Sequence, residues 1–101
     1  MDAEVQALAA RLVRRLKEVG AKITIAESCT GGLLASTLTD IAGSSQWFEQ
    51  SWVCYSYASK TKELNVDPEL LTTKGAVNAN VAIKMAEGAR IRANADLAIS
   101  I

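Results

Sequence analysis

The stretch IAESCTGG, residues 25–32, sets a carboxylate (Glu27), two hydroxyls (Ser28, Thr30), a thiol (Cys29) and two glycines side by side. It directly follows an apolar, β-branched run, so it falls where a strand hands over to a helix. A serine hydroxyl is a poor nucleophile until a neighbouring base takes its proton. The chain contains no histidine, which excludes a Ser-His-Asp triad and leaves lysine, carboxylate or tyrosinate as the base. A lysine serves only where burial or nearby positive charge lowers its pKa toward neutrality. Lys60, in YSYASK at 55–60, follows a second apolar run, with Tyr55 at the end of that run. If the two segments face each other, Ser28, Tyr55 and Lys60 converge. The backbone N–H groups of Thr30, Gly31 and Gly32 would then open a helix aimed at the same spot, suited to an oxyanion or a phosphate. The two glycines admit close approach to the backbone.

Simpler readings stand beside these. From spacing alone, Ser28 or Thr30 is a helix N-cap and the glycines form a tight turn. The glycine spacing fits neither a phosphate-binding P-loop nor a dinucleotide fingerprint. A helix N-terminus lowers a thiol's pKa, yet without a histidine partner Cys29 reads as a small buried residue under the turn. Cys54, inside an apolar run, reads as core. Ser44 and Ser45, in AGSS, present hydroxyls and amides to a substrate, or simply end a helix. Glu27 positions Lys60 or a substrate, or caps locally. Trp47, Phe48 and Trp52 stack on an aromatic ligand, or belong to the core or a subunit interface.

The elements that must position these groups follow from periodicity. Val5, Leu8, Ala9, Leu12, Val13, Leu16 and Val19 trace one face of a helix over 3–19, closed by Gly20. Residues 22–26 are a short strand, 31–41 a helix whose first turn holds Gly31 and Gly32, and 42–45 a turn. A second strand is expected over 50–56, short helices over 58–65 and 67–71, and a longer helix from Asn78 to about Arg92. Asp67 caps the second short helix with Pro68 in its first turn. Val81, Ala82, Met85, Ala86, Ala89 and Ile91 are expected to face inward from the long helix. DLAISI, 96–101, is a third strand. Strands separated by helices predict an α/β fold, a largely parallel sheet covered on both faces as a three-layer α/β/α sandwich. Right-handed crossovers bring the strand carboxyl ends, and so ESCTGG and YSYASK, to one rim, where ligands of such sheets bind.

Composition narrows the class. The chain has 101 residues, half of them apolar, and a formal net charge of zero. That fits one small globular domain and makes no electrostatic case for nucleic acid or a membrane surface as partner. No apolar run is long enough for a membrane span, and Asp2 and Glu4 sit where a signal peptide would be basic. Two cysteines and no histidine fit a reducing cytoplasm and argue against a metal site. Three strands make a thin sheet, and an apolar strand that stops on the last residue predicts a shortened form of a longer domain.

Taken together, TIAESCTGGLLASTLTDIAGSS, WFEQSWVCYSYASK and KGAVNANVAIKMAEGA resemble the CinA C-terminal domain family, the nicotinamide-nucleotide amidases. The resemblance runs over nearly the whole chain and stops before a family loop of the form TGIAGP, so residues 1–101 correspond to the N-terminal two-thirds of the usual domain. It implies a three-layer α/β/α enzyme, free of metal and cofactor and oligomeric, that hydrolyses the carboxamide of nicotinamide mononucleotide in pyridine-nucleotide recycling. It also implies Ser28 as nucleophile, Lys60 as general base and Tyr55 as an auxiliary member of the proton network. Thr30, Gly31 and Gly32 would line the oxyanion or substrate pocket, with Glu27, Ser44 and Ser45 as further candidate contacts. Family members read like YSNEAK where this chain has YSYASK, placing Tyr57 at an expected asparagine. The alternative is a catalytically silent relative that binds a nucleotide or serves as an oligomerisation module.

Overall fold

A computed structural model describes residues 2–101. The elements are α1 (Ala3–Val19), β1 (Ile23–Glu27), α2 (Leu33–Thr39), β2 (Phe48–Val53), α3 (Tyr57–Leu64), α4 (Pro68–Lys74), α5 (Ala79–Ala93) and β3 (Leu97–Ser100). The sheet is parallel throughout, ordered β2–β1–β3. Glu27 lies opposite Val53 on one side of β1, and Ala26 opposite Ser100 on the other.

β1 is the central strand and every residue in it is buried. Because side chains alternate along a strand, it feeds two cores. Ile23 and Ile25 pack with Ala9, Val13 and Leu16 of α1, Leu38 of α2 and Trp47. On the opposite face Ala26 packs with Cys54, Leu64, Leu71, Val81, Met85 and Ala89 from the α3–α5 side. The expected helix–sheet–helix layering is therefore present, and all three strands end on one rim.

Helix ends follow the chemistry of their sequences. The Asp2 carboxylate accepts the Val5 N–H at 2.9 Å, and Gly20 closes α1 at φ 67°. Asp67 accepts the Glu69 N–H and Pro68 opens α4. Asn78 caps α5 by accepting the Val81 N–H at 3.0 Å.

Several boundaries differ from expectation for identifiable reasons. α2 begins at Leu33 rather than Gly31, because Gly31 (φ 62°) and Gly32 (φ 107°) occupy the left-handed region outside any right-handed helix. β2 runs over 48–53 rather than 50–56, since the carbonyls of Cys54 and Tyr55 turn away from the ladder to a side chain, and Ser56 caps α3. Ile91, expected inside, is 68% exposed, while Val81, Met85 and Ala89 are buried. Cys29, expected under the turn, is exposed, whereas Cys54 is buried as expected.

Candidate active site

Ser28 is the first residue past β1 and its backbone is held by β3. Its N–H donates to the Ile101 carbonyl at 2.7 Å, extending the parallel ladder one step beyond the strand. Its side chain leaves on the α3 side of the sheet. There Lys60 Nζ donates to Ser28 Oγ at 2.9 Å.

Lys60 is 1% exposed, and its Nζ is enclosed by three oxygen acceptors. Besides Ser28 Oγ these are the carbonyls of Cys54 at 2.9 Å and Tyr55 at 2.7 Å. α3 puts the lysine there because the Ser56 hydroxyl accepts the Ser59 N–H and starts the helix right after those carbonyls. A buried cation is tolerated only when hydrogen-bonded throughout. The arrangement supplies a partner for each of its three donors. The Tyr55 ring lies with its centroid 6.0 Å from Nζ, at the limit of a cation–π contact, and the residue is 76% exposed. Tyr55 thus reaches the lysine through its carbonyl and ring face.

The loop after Ser28 turns inward rather than toward solvent. Glu27 is fully buried, and its Oε1 accepts the Thr30 hydroxyl at 2.6 Å and the Leu34 N–H at 2.7 Å. Its Oε2 accepts the Ala35 N–H at 2.9 Å, and the Gly32 N–H also points to the carboxylate. Burial by itself would raise this carboxyl's pKa. The hydrogen bonds from Thr30, Ala35, Leu34 and Gly32 outweigh it and hold the group below the usual carboxylate range. The Gly31 N–H donates to the Ser28 carbonyl at 3.3 Å. Of the loop amides, those of Cys29 and Thr30 find no acceptor among the described residues. The Cys54 thiol is pushed up by burial and by the nearby Glu63 carboxylate.

Beside Ser28 opens an apolar cavity of about 290 Å³. Its walls include Cys29, Val77, Asn78, Ala82 and Ile101, so it lies between the β1–α2 loop, the start of α5 and the end of β3. Val77, Ala82 and Ile101 were not anticipated as site residues. The shared rim could have suggested Ile101, because β3 ends where β1 and β2 end. Nothing in the local sequence marks Val77 or Ala82.

Ser28, Lys60, Tyr55, Glu27, Thr30, Gly31 and Gly32 are all brought to one rim, but the Gly31 and Gly32 N–H groups, expected to face an oxyanion or substrate, turn instead to the Ser28 carbonyl and the Glu27 carboxylate. Ser44 and Ser45 are not brought to that rim. They lie in a short 3-10 helix, Ser44–Gln46, that precedes β2, and the Trp47 carbonyl there accepts the N–H of Ile23 at the start of β1. That is the amino end of the parallel strands, about 16 Å of strand away from Ser28 at roughly 3.3 Å per residue. As contacts to a substrate at Ser28 they are therefore corrected. Their role is to turn the chain into β2. Among the described residues no group of three or more His, Cys, Asp or Glu side chains could hold a metal ion, and no helix is long and apolar enough to cross a membrane.

The model of the CinA C-terminal domain family matches residues 5–101. The nicotinamide-nucleotide amidohydrolase PncC of Escherichia coli (strain K12) is 47% identical over 100 residues, covering 99% of this chain and 61% of that protein. A CinA-like protein of Chlorobium phaeobacteroides is 54% identical over 85 residues, 84% of this chain and 20% of that one. Among solved structures, the competence/damage inducible protein CihA from Agrobacterium tumefaciens superposes with a TM-score of 0.96 at 40% identity, covering 99% of this chain and 61% of that one. The competence damage-inducible protein A from Klebsiella pneumoniae gives 0.93 at 34% identity, with 95% and 60% covered. The chain thus spans about three-fifths of the length of PncC and of these solved chains.

Proposed function

The chain belongs to the CinA C-terminal domain family, and we propose that it is a serine–lysine amidohydrolase acting on the carboxamide of nicotinamide mononucleotide. The observation that carries this reading is the set of partners around Lys60 Nζ: two backbone carbonyls and the Ser28 hydroxyl. A neutral amine has two N–H bonds and one lone pair. In the neutral form that a base requires, the Cys54 and Tyr55 carbonyls would keep the two N–H bonds, and the lone pair would face the Ser28 hydroxyl in place of the N–H that donates to it in the structure. The 47% identity to a protein named as a nicotinamide-nucleotide amidohydrolase supports the substrate class.

In the first half-reaction the Ser28 hydroxyl proton passes to Lys60 Nζ as Oγ attacks the carboxamide carbon. The carbonyl oxygen takes the electron pair, and the Cys29 and Thr30 N–H groups, which lack protein acceptors, are the donors for it. The Lys60 ammonium, still held by its two carbonyls, then gives its proton to the leaving nitrogen. The C–N bond breaks, ammonia departs and an acyl-Ser28 ester remains. In the second half-reaction Lys60 takes a proton from water, hydroxide attacks the ester, and the proton returns to Ser28 as nicotinate mononucleotide leaves. The acid's proton passes to the released ammonia, so the sum is carboxamide plus water to carboxylate plus ammonium, and no metal or cofactor enters it.

The apolar cavity beside Ser28 suits a flat heteroaromatic ring. Gly31 and Gly32 shape the loop, Thr30 links it to Glu27, and Tyr55 forms part of the lysine's surroundings. On this reading the protein works in the cytoplasm as a homo-oligomer, in pyridine-nucleotide recycling. The test is incubation with nicotinamide mononucleotide. Nicotinate mononucleotide and ammonia appearing in equal amounts support it, and thermal stabilisation by the mononucleotide without turnover points instead to a silent nucleotide-binding relative.

A further inference from the structure

We infer that Glu27 is a positioning residue: its carboxylate is the internal anion around which residues 30–35 are wrapped, and this holds Ser28 Oγ on Lys60 Nζ. The inference rests on the serine–lysine reading above. Glu27 is fully buried, so it cannot serve as the substrate contact expected from the sequence. Instead it accepts three hydrogen bonds, from the hydroxyl of Thr30 and the N–H groups of Leu34 and Ala35, with the Gly32 N–H also turned toward it. An ionised carboxylate is the one side chain that accepts on every lone pair and donates none. Gly31 and Gly32, at φ 62° and 107°, let the chain turn these donors inward.

Glu27 and Ser28 are adjacent, so strand alternation sends their side chains to opposite faces of the sheet. Glu27 points to α2 and Ser28 to α3, as their hydrogen bonds record. A shift of one therefore swings the other through their shared peptide. The Glu27 carbonyl also accepts the Cys54 N–H at 2.9 Å, directly before the two carbonyls that hold Lys60. One residue thus ties down both halves of the dyad without touching a reacting atom.

The experiment compares Glu27→Gln, Thr30→Val and Ser28→Ala with wild type, reading the Lys60 side-chain ¹⁵Nζ and ¹³Cε NMR resonances together with kcat and KM for ammonia release. Glu27→Gln keeps the shape but sets an amide NH₂ against the Ala35 N–H. In folded Glu27→Gln the Lys60 resonances are expected to move toward their Ser28→Ala positions, and kcat to fall about 10–100-fold with KM little changed. Thr30→Val removes one donor and should move the resonances the same way by less. A folded Glu27→Gln protein with wild-type Lys60 resonances and wild-type kcat overturns the inference. Should Glu27→Gln not fold, Thr30→Val decides: displaced Lys60 resonances support the role and unchanged ones overturn it. Absence of ammonia release by wild type would sink the amidase reading alone, since the NMR comparison tests the positioning without substrate.

Discussion

Lys60 Nζ has three hydrogen-bond partners, and only Ser28 Oγ, at 2.9 Å, can itself lose a proton. The other two, the Cys54 and Tyr55 carbonyls, are backbone oxygens fixed by the exit of β2. A lysine buried this completely has nowhere else to put its donors. Removing the amine while keeping the stem therefore has two consequences. Lys60→Met should lower the rate of ammonia release about 10²–10⁴-fold, the span of a positioned general base. It should also destabilise the fold by about 1–3 kcal/mol for each carbonyl left unsatisfied, read as a lower urea midpoint. A folded Lys60→Met protein with undiminished turnover would remove the lysine from the chemistry.

Glu27 gives a pH signature. Its folded-state pKa is depressed, with the hydrogen bonds outweighing burial. Such a group contributes stability that is complete above its unfolded pKa, about 4.3 for a glutamate. The contribution is lost as pH falls through the lower, folded value. The stability gap between wild type and Glu27→Gln should therefore be level from neutral pH to about 5 and shrink below about 4.3. Urea midpoints across that range check it, and a gap that ignores pH would mean the charge is not what stabilises the loop.

Gly88 couples the long helix to the helix that carries Lys60. A Cβ added there would clash with the Leu64 carbonyl oxygen and sit 2.8 Å from its carbon, both backbone atoms that cannot swing aside. Gly88→Ala should destabilise by about 1–3 kcal/mol through overpacking, despite the better helix propensity of alanine. Because α3 must move to relieve the clash, turnover at temperatures below unfolding should fall as well. Chemical denaturation beside the ammonia assay checks both, and a stabilised Gly88→Ala would show that α3 and α5 are not packed this closely.

Much of this organisation was legible in the residues, and the parts that were not share a cause. The caps at Asp67 and Asn78, the Gly20 stop and the parallel sheet follow from local chemistry and hydrophobic period. The pairing of Ser28 with Lys60 follows from strand carboxyl ends meeting on one rim once histidine is absent. The turn at Gly31 and Gly32 was readable as glycine chemistry. What it wraps around was not, since glutamate at the end of a strand looks the same whether its carboxylate meets water or a ring of amides. The end of β2 was missed because Cys54 and Tyr55 are good strand residues, and their carbonyls leave the ladder for a lysine further along. Ser44 and Ser45 are locally plausible ligand contacts, and only the sheet register shows them at the opposite rim. Ile91 falls two residues past buried Ala89, about 200° around α5 from the face that Val81, Met85 and Ala89 bury, so it is exposed.

The central claim is that Ser28 attacks a carboxamide with Lys60 as its base, and ammonia release from nicotinamide mononucleotide by wild type and Ser28→Ala tests it most directly. The account predicts steady turnover by wild type, with a loss of roughly 10³-fold or more in Ser28→Ala, in line with removal of a nucleophile that acts as a unit with its base. Turnover by Ser28→Ala within a few fold of wild type, or no release by wild type at all, would contradict it.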